Sequence, residues 1–368
     1  MNRREFLHVV GGALLASQAP RPFSSRAIDL VNESVVVDML HQIVYRFDQT
    51  DVLKRWLYEP DGFTPEDFDQ YRRSGITVIG LGRGAGPYDN ALKYLAEFNG
   101  FVAAYPDRLL RIVRGADFER AKRDRKLGIL ISFQDSQHFR SPDEVDLFYG
   151  LGQRVSQLTY NFKNQIGSGA FEPPDAGLTE FGLRIVERMN HVGMVVDVAH
   201  GGDRTILDAC AASTRPVIVS HGNCRALHPG YPRCVTDEGI RALAKSGGVI
   251  GINFISFMVK AKEPTTVDDV IDHIDHVRDL VGIEHVGIGS DFGLESNDHM
   301  TDRNEFRRFL AAADKRYRVH AREAVEDLDH PLRFYTLTDA LLRRGYTSEQ
   351  VKLVIGGNFQ RVLGQVWR

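Results

Sequence analysis

The sequence predicts an α/β protein, a (β/α)8 or TIM barrel, on three observations. Eight short runs rich in β-branched apolar residues recur along the chain, amphipathic stretches separate them, and several runs close on residues that can do chemistry. At 368 residues and 43% hydrophobic content, one large core is affordable and a single domain is expected.

The first residues stand apart from that pattern. "MNRREFLHVVGGALLASQA" carries Arg3 and Arg4, then Phe6 and Leu7, then a short apolar segment of small residues that ends at Ala19 before Pro20. This is similar to a twin-arginine export signal, an address read by a receptor and not a permanent anchor. Its apolar stretch is shorter than the ~20 residues that span a bilayer. Residues 1–26 are therefore assigned to an export signal and short linker, residues 27–368 to the domain, and the location to the periplasm or exterior.

From Ala27 onward the strand-like runs are "SVVVDML" ending near Leu40, then 75–82, 128–133 and 154–160, followed by 193–198, 216–220, 247–254 and 285–290. Between them, "LTEFGLRIVERMNHV" places Leu178, Phe181, Ile185 and Met189 on one helical face, and "DEGIRALAKSG" ends on a glycine suited to a helix C-terminus. Apolar strands alternating with helices are buried on both faces, as in a parallel barrel. An open doubly wound sheet would carry a glycine-rich phosphate loop after its first strand. None is present there, and "GLGRGAG" at 80–86 reads as an ordinary strand-to-helix loop. The connections 40–74 and 292–335 exceed a simple crossover and predict extra helices over the barrel mouth. "LTDALLRRGYTSEQVKLVIGGNFQRVL" reads as two final helices, the second capped by "TSEQ".

A formal net charge of −3, with basic residues spread among acids, favours neither nucleic acid nor an anionic membrane surface as a partner. Cys210, Cys224 and Cys234 are too few and too irregularly spaced for a disulfide framework or a zinc knot. Free buried thiols are expected, with a Cys224–Cys234 bridge left open.

Three runs close on ionisable side chains: "MVVDVAH" on His200, "RPVIVSH" on His221 and "HVGIGSD" on Asp291. Any one alone would only mark a strand emerging into solvent. Together they place imidazoles and a carboxylate at the C-terminal strand tips, where a barrel builds its active site, and these are the groups that a hydrolytic metal centre uses.

Four segments carry a resemblance in order and approximate spacing. "GLTEFGLRIVERMNHVGMVVDVAH", "RPVIVSHGNCRALHPGYPRCVTDEGIRALAKSGGVIGINF", "HVGIGSDFG" and "VIGGNFQRVL" resemble signature segments of the membrane dipeptidase (renal dipeptidase) family. The resemblance implies a metal-dependent (β/α)8 hydrolase of the amidohydrolase type that cleaves dipeptides at a two-zinc centre, and it raises a homodimer. It assigns His200 and His221 to the second metal, Asp291 to the active-site carboxylate, and Arg233 to the substrate carboxylate.

The departures from that pattern are specific. Where the resemblance implies a His-x-Asp pair closing the first strand, "DMLHQI" places Leu40 and Gln42. Where it implies a bridging carboxylate, "SFQDSQ" offers Gln134, a neutral amide and a poor zinc ligand. The substrate-orienting histidine is replaced by Tyr160 of "LTYN", whose hydroxyl can still donate to a developing oxyanion. Strand alternation turns His41 away from the direction of Leu40 and Gln42 unless a bulge re-aims it. Asp135 substitutes for Gln134 only if its loop shifts. What remains is a half-site that suits one zinc ion with an open position for water.

Three readings stay open: a one-zinc hydrolase of a dipeptide or similar small amide; an enzyme drifted to a lactone, ester or modified amino acid, with Tyr160 and Gln134 orienting the substrate; and a metal-free binding protein.

Overall fold

The computed structural model describes residues 23–44, 46–84, 86–302, 308 and 320–367. The residues expected to form the export signal lie almost wholly outside these. The helix Ser25–Glu33 takes in Ser25 and Arg26, which the sequence reading left with the leader. Ser24 caps it, and the Phe23 ring lies 5.6 Å from that of Tyr335.

Among the described residues every ladder between strands is parallel. β1 (Val37–His41), β2 (Val78–Leu81), β4 (Leu127–Leu130) and β3 (Leu109–Arg111) form one sheet in the order β1-β2-β4-β3. β5 (Ser132–Phe133), β6 (Val155–Gln157), β7 (Val195–Asp197), β8 (Val217–Gly222), β9 (Val249–Ile252) and β10 (Val286–Ile288) form the other, in sequence order. Only Ile131 separates β4 from β5, so the stretch 127–133 pairs with β2 in its first half and with β6 in its second. Counting that stretch once, the eight expected strands are all present. β3 is additional, a three-residue edge strand too short to show a period.

No ladder joins β10 to β1 among the described residues, but the two are clasped. The Asp291 N–H donates to the Leu40 carbonyl at 2.9 Å. Ser290 donates its N–H at 2.7 Å and its hydroxyl at 2.6 Å to the Asp38 carboxylate. Near the N-terminal strand ends, Val37, Val78, Val155, Val195, Ile218 and Val249 form one apolar cluster with Phe359, Val362 and Val366 of the last helix. Large aliphatic side chains fill that end, which leaves the opposite end for polar groups.

The helical layer follows its local signals. Thr64 and Asp67 make a capping box before the helix Pro65–Ser74, and Gly75 ends it in the left-handed conformation at φ 79°. Ile185 and Met189 of the helix Glu180–Val192 are fully buried, while Leu178 and Phe181 are partly so. Thr347 and Gln350 make the expected capping box, although the final helical stretch is interrupted at Gly356. The long connection after β1 holds the helices Thr50–Tyr58 and Pro65–Ser74, as expected. All three cysteines are free, and the Cys224 and Cys234 thiols donate separately to the His273 and Met258 carbonyls. Among the described residues no helix is long and apolar enough to cross a membrane.

The Asp38 clasp has a measurable signature. Burial raises its carboxyl pKa from 3.8 to about 6, and the buried Arg333 guanidinium opposes the rise. With the folded value above the unfolded one, the stability that Asp38 confers is complete below its ordinary pKa and lost as pH rises through the folded one. Comparing denaturant unfolding of the wild type with Asp38→Asn from pH 4 to 8 cancels the other titrating groups. The wild type should lose about 2 kcal/mol relative to the variant over that range. A difference that does not vary with pH would show that Asp38 is ionised throughout.

Candidate metal and active site

The site residues sit at the C-terminal strand ends, and two of them need unusual backbone. His200 follows β7 at φ 61° and Asp291 follows β10 at φ 70°, left-handed values that cost a residue with a Cβ and persist only where surroundings enforce them. His221 lies within β8, beside a register shift between Val219 and Gly222. Glycines let the backbone at this point pack closely. A Cβ on Gly251 or Gly289 would come to 2.2 or 2.1 Å from the Ser220 carbonyl oxygen.

Two acids inside apolar strands do the enforcing. Asp38 in β1 receives Ser290, the residue before Asp291. Asp197 in β7 accepts the N–H groups of Ala199 at 2.9 Å and Ser220 at 3.0 Å, and Ser220 precedes His221. A buried carboxylate that accepts several hydrogen bonds fixes the chain donating them.

The two histidines converge. His200 Nε2 and His221 Nε2 are 2.9 Å apart, and both residues are nearly or wholly buried. The remaining nitrogens are tethered, His200 Nδ1 to Asn161 Oδ1 at 2.7 Å and His221 Nδ1 to Ser220 Oγ at 2.9 Å. Gln134 Nε2 is 3.3 Å and Asp291 Oδ2 is 3.9 Å from His221 Nε2. The Tyr160 ring stacks on His200 at 4.1 Å, and the residue is 39% exposed. Arg233 is buried and donates from Nη2 to the His221 carbonyl at 3.0 Å. The fold thus gathers His200, His221, Asp291, Arg233, Tyr160 and Gln134 in one neighbourhood.

Electrostatics divides their roles. Burial holds both imidazoles well below the ordinary histidine range, and the charge of Arg233 pushes the same way, so both are neutral ligand-type rings. Desolvation raises Asp291 to about 7, against the lowering effect of Arg233. A carboxyl titrating near neutrality with an edge open to solvent, its side chain 15% exposed, can take and return a proton.

The donor set fits one metal ion and does not fit two. Two convergent imidazoles with a carboxylate close by are a suitable half-site. Among the described residues no group of three or more His, Cys, Asp or Glu side chains is spaced to hold an ion by itself. The groups on the other side cannot complete a pair. Leu40 and Gln42 both face Gly82, where an added Cβ would lie 2.9 Å from Leu40 Cγ and 2.7 Å from Gln42 Nε2. β1 does shift register between Asp38 and His41, yet His41 turns to the helical layer, its ring 5.7 Å from that of Tyr71. Asp135 is held by Asn164 at 2.7 Å and by the Gln137 N–H at 3.0 Å, so it does not replace Gln134.

Asn161, Asp197 and Ser220 were not singled out from the sequence. A signal existed for Asp197, because an acid inside the apolar run "MVVDVAH" must be satisfied on folding. Nothing marked Asn161 beyond its place after Tyr160.

The family model for membrane dipeptidase (peptidase family M19) matches residues 83–321 and 319–368. The dipeptidase verJ of Clonostachys rogersoniana is 32% identical over 269 residues, 72% of this chain and 62% of that one. An uncharacterised protein from the pqqA 5' region of Klebsiella pneumoniae is 31% identical over 228 residues, 59% of this chain and 84% of that one. Among solved structures, an amidohydrolase from Pseudomonas aeruginosa superposes with a TM-score of 0.78 at 27% identity, over 93% of this chain and 99% of that one. A barrel-type parallel fold, a family model matched over most of the chain and relatives in the same group agree: the chain belongs to the membrane dipeptidase family of metallopeptidases, family M19.

Proposed function

We propose that this protein is an exported hydrolase that cleaves a dipeptide or similar small amide using one zinc ion held by His200 and His221. The observation that carries this reading is the approach of the two Nε2 atoms to 2.9 Å, with Asp291 beside them. Bound there, zinc would supply a Lewis acid and a water acidic enough to attack an amide near neutral pH. Asp291, whose carboxylate lies 3.9 Å from His221 Nε2, accepts the proton released in the attack and returns it to the departing amine. Tyr160 borders the same space from its stack on His200, and its role would be to donate its hydroxyl to the polarised carbonyl oxygen. Gln134 offers an amide for orientation, and Arg233 supplies the positive charge that favours a substrate carboxylate.

Elemental analysis of protein purified without chelators, combined with a dipeptide hydrolysis screen, tests the proposal. The expected result is about one zinc per chain, with hydrolysis lost on chelation and restored by zinc. Hydrolysis of esters or lactones that survives chelation would favour the drifted-enzyme reading, for which Gln134 in place of a carboxylate is the supporting feature.

Export is tested separately. Replacing both Arg3 and Arg4 by lysine keeps the charge but removes the paired guanidinium groups, and should leave an unprocessed precursor in the cytoplasm. Processed double mutant outside the cytoplasm would refute the twin-arginine assignment.

A further inference from the structure

Resting on the reading in which Arg233 takes a substrate carboxylate, we infer that Arg225 is the positioning residue for Arg233. Its pair with Asp203 holds that anchor in register with the segment that carries His200.

Arg233 is 3% exposed, and its Nη2 donates to the His221 carbonyl at 3.0 Å. Its Nε is buried and has no hydrogen-bond partner among the described residues. A buried guanidinium with an unused donor is costly until an acceptor arrives, and a carboxylate is the acceptor that its planar fork fits. The direction in which Arg233 offers that donor depends on the loop 223–235, which leaves β8 just after His221.

Arg225 ties this loop from inside. Its N–H donates to the Val235 carbonyl at 2.8 Å, and the Val235 N–H donates to the Asn223 carbonyl at 2.8 Å, so the two ends of the loop meet. Its guanidinium donates from Nη2 to the Pro232 carbonyl at 2.8 Å and from Nε to the Cys234 carbonyl at 2.9 Å. The residues on both sides of Arg233 are therefore pinned to one rigid plane. The same plane makes a bidentate pair with Asp203, Nη1 to Oδ2 at 2.5 Å and Nη2 to Oδ1 at 2.7 Å. Asp203 opens the helix Asp203–Ala212, which begins just after His200. One side chain thus joins the segment of a metal-ligand histidine to the loop of the carboxylate anchor. An exposed ion pair alone would contribute little, but the Arg225 side chain is only 23% exposed and its carbonyl bonds reinforce the pair. Lysine, a point charge on a flexible stem, could not meet these acceptors in one plane.

Calorimetric binding of L-alanyl-L-alanine and of its C-terminal amide to the metal-stripped, full-length protein tests this without hydrolysis. The wild type should bind the free acid ~10–100-fold more tightly than the amide, the usual range for a hydrogen bond to a charged group. Arg233→Ala should abolish that preference. Arg225→Ala should reduce it to roughly a tenth while leaving affinity for the amide nearly unchanged, because only the anchor moves. Asp203→Asn should act in the same direction by a smaller factor, and it decides the matter if Arg225→Ala does not fold. An undiminished preference in the deciding variant overturns the inference, and so does equal weakening of both ligands, which would mark a merely structural role. A wild type that binds the free acid no better than the amide, or an Arg233→Ala protein that keeps the preference, overturns it together with the anchor role of Arg233. The expected pattern in a protein that hydrolyses no dipeptide when zinc is supplied would sink the hydrolase reading and leave the Arg225 assignment intact. Zinc-dependent hydrolysis with the preference unchanged in Arg225→Ala would do the reverse.

Discussion

His221→Ala and His200→Ala are each expected to reduce zinc content from about one equivalent to none, because a site resting on two imidazoles has no spare ligand. Removing an outer partner of a metal ligand already costs ~10–100-fold in affinity, and losing the ligand itself should cost more. The fold should survive, as judged by unchanged far-ultraviolet circular dichroism. His221 tethers Ser220 and lies against Asp291, so its loss should also lower stability by about 1–3 kcal/mol. Structural histidines alone would give that stability loss with no metal dependence. Stoichiometric zinc in either variant would rule out the half-site.

Leu40→His, Gln42→Asp and Gln134→Glu combined should raise metal occupancy from about one to about two, since they restore the ligand types of a two-metal clamp. The positions are suitably grouped. Leu40 and Gln42 meet at Gly82, the Leu40 carbonyl accepts from the Asp291 N–H, and Gln134 touches His221. Good dipeptidase activity is not required of the triple variant, because Tyr160 remains and the outer support of the new ligands is untuned. Elemental analysis and anomalous diffraction should place a second ion within reach of His221. A normally folded triple variant with one ion would show that these three residues are not the missing ligand set.

The fold was legible because a barrel writes its core into local sequence: each of the eight runs supplied a strand, and the β-branched residues that marked the runs are the ones now buried. β3 escaped because "LLR" offers only one fully buried residue. The inner half of the site was legible for a related reason, since His200, His221 and Asp291 interrupt apolar runs at their ends. Their supports were harder to see. Asp38 and Asp197 sit mid-run, where an acid looks like an interruption of the strand, and only the three-dimensional approach of Ser290 and Ser220 explains them. The fate of His41 also needed coordinates, because a register shift in β1 could have turned the ring either way.

The Asp38–Ser290 clasp joins residues 252 positions apart, so the carboxylate Asp291 is held by a contact that spans most of the chain. During synthesis, β1 emerges first and waits for β10. No N-terminal fragment can assemble this site, however well its helices and early strands form, because contacts of such separation close late. A complete site is therefore a report that the last strand has docked. Placement of the Asp291 carboxylate beside His221 therefore coincides with completion of the barrel.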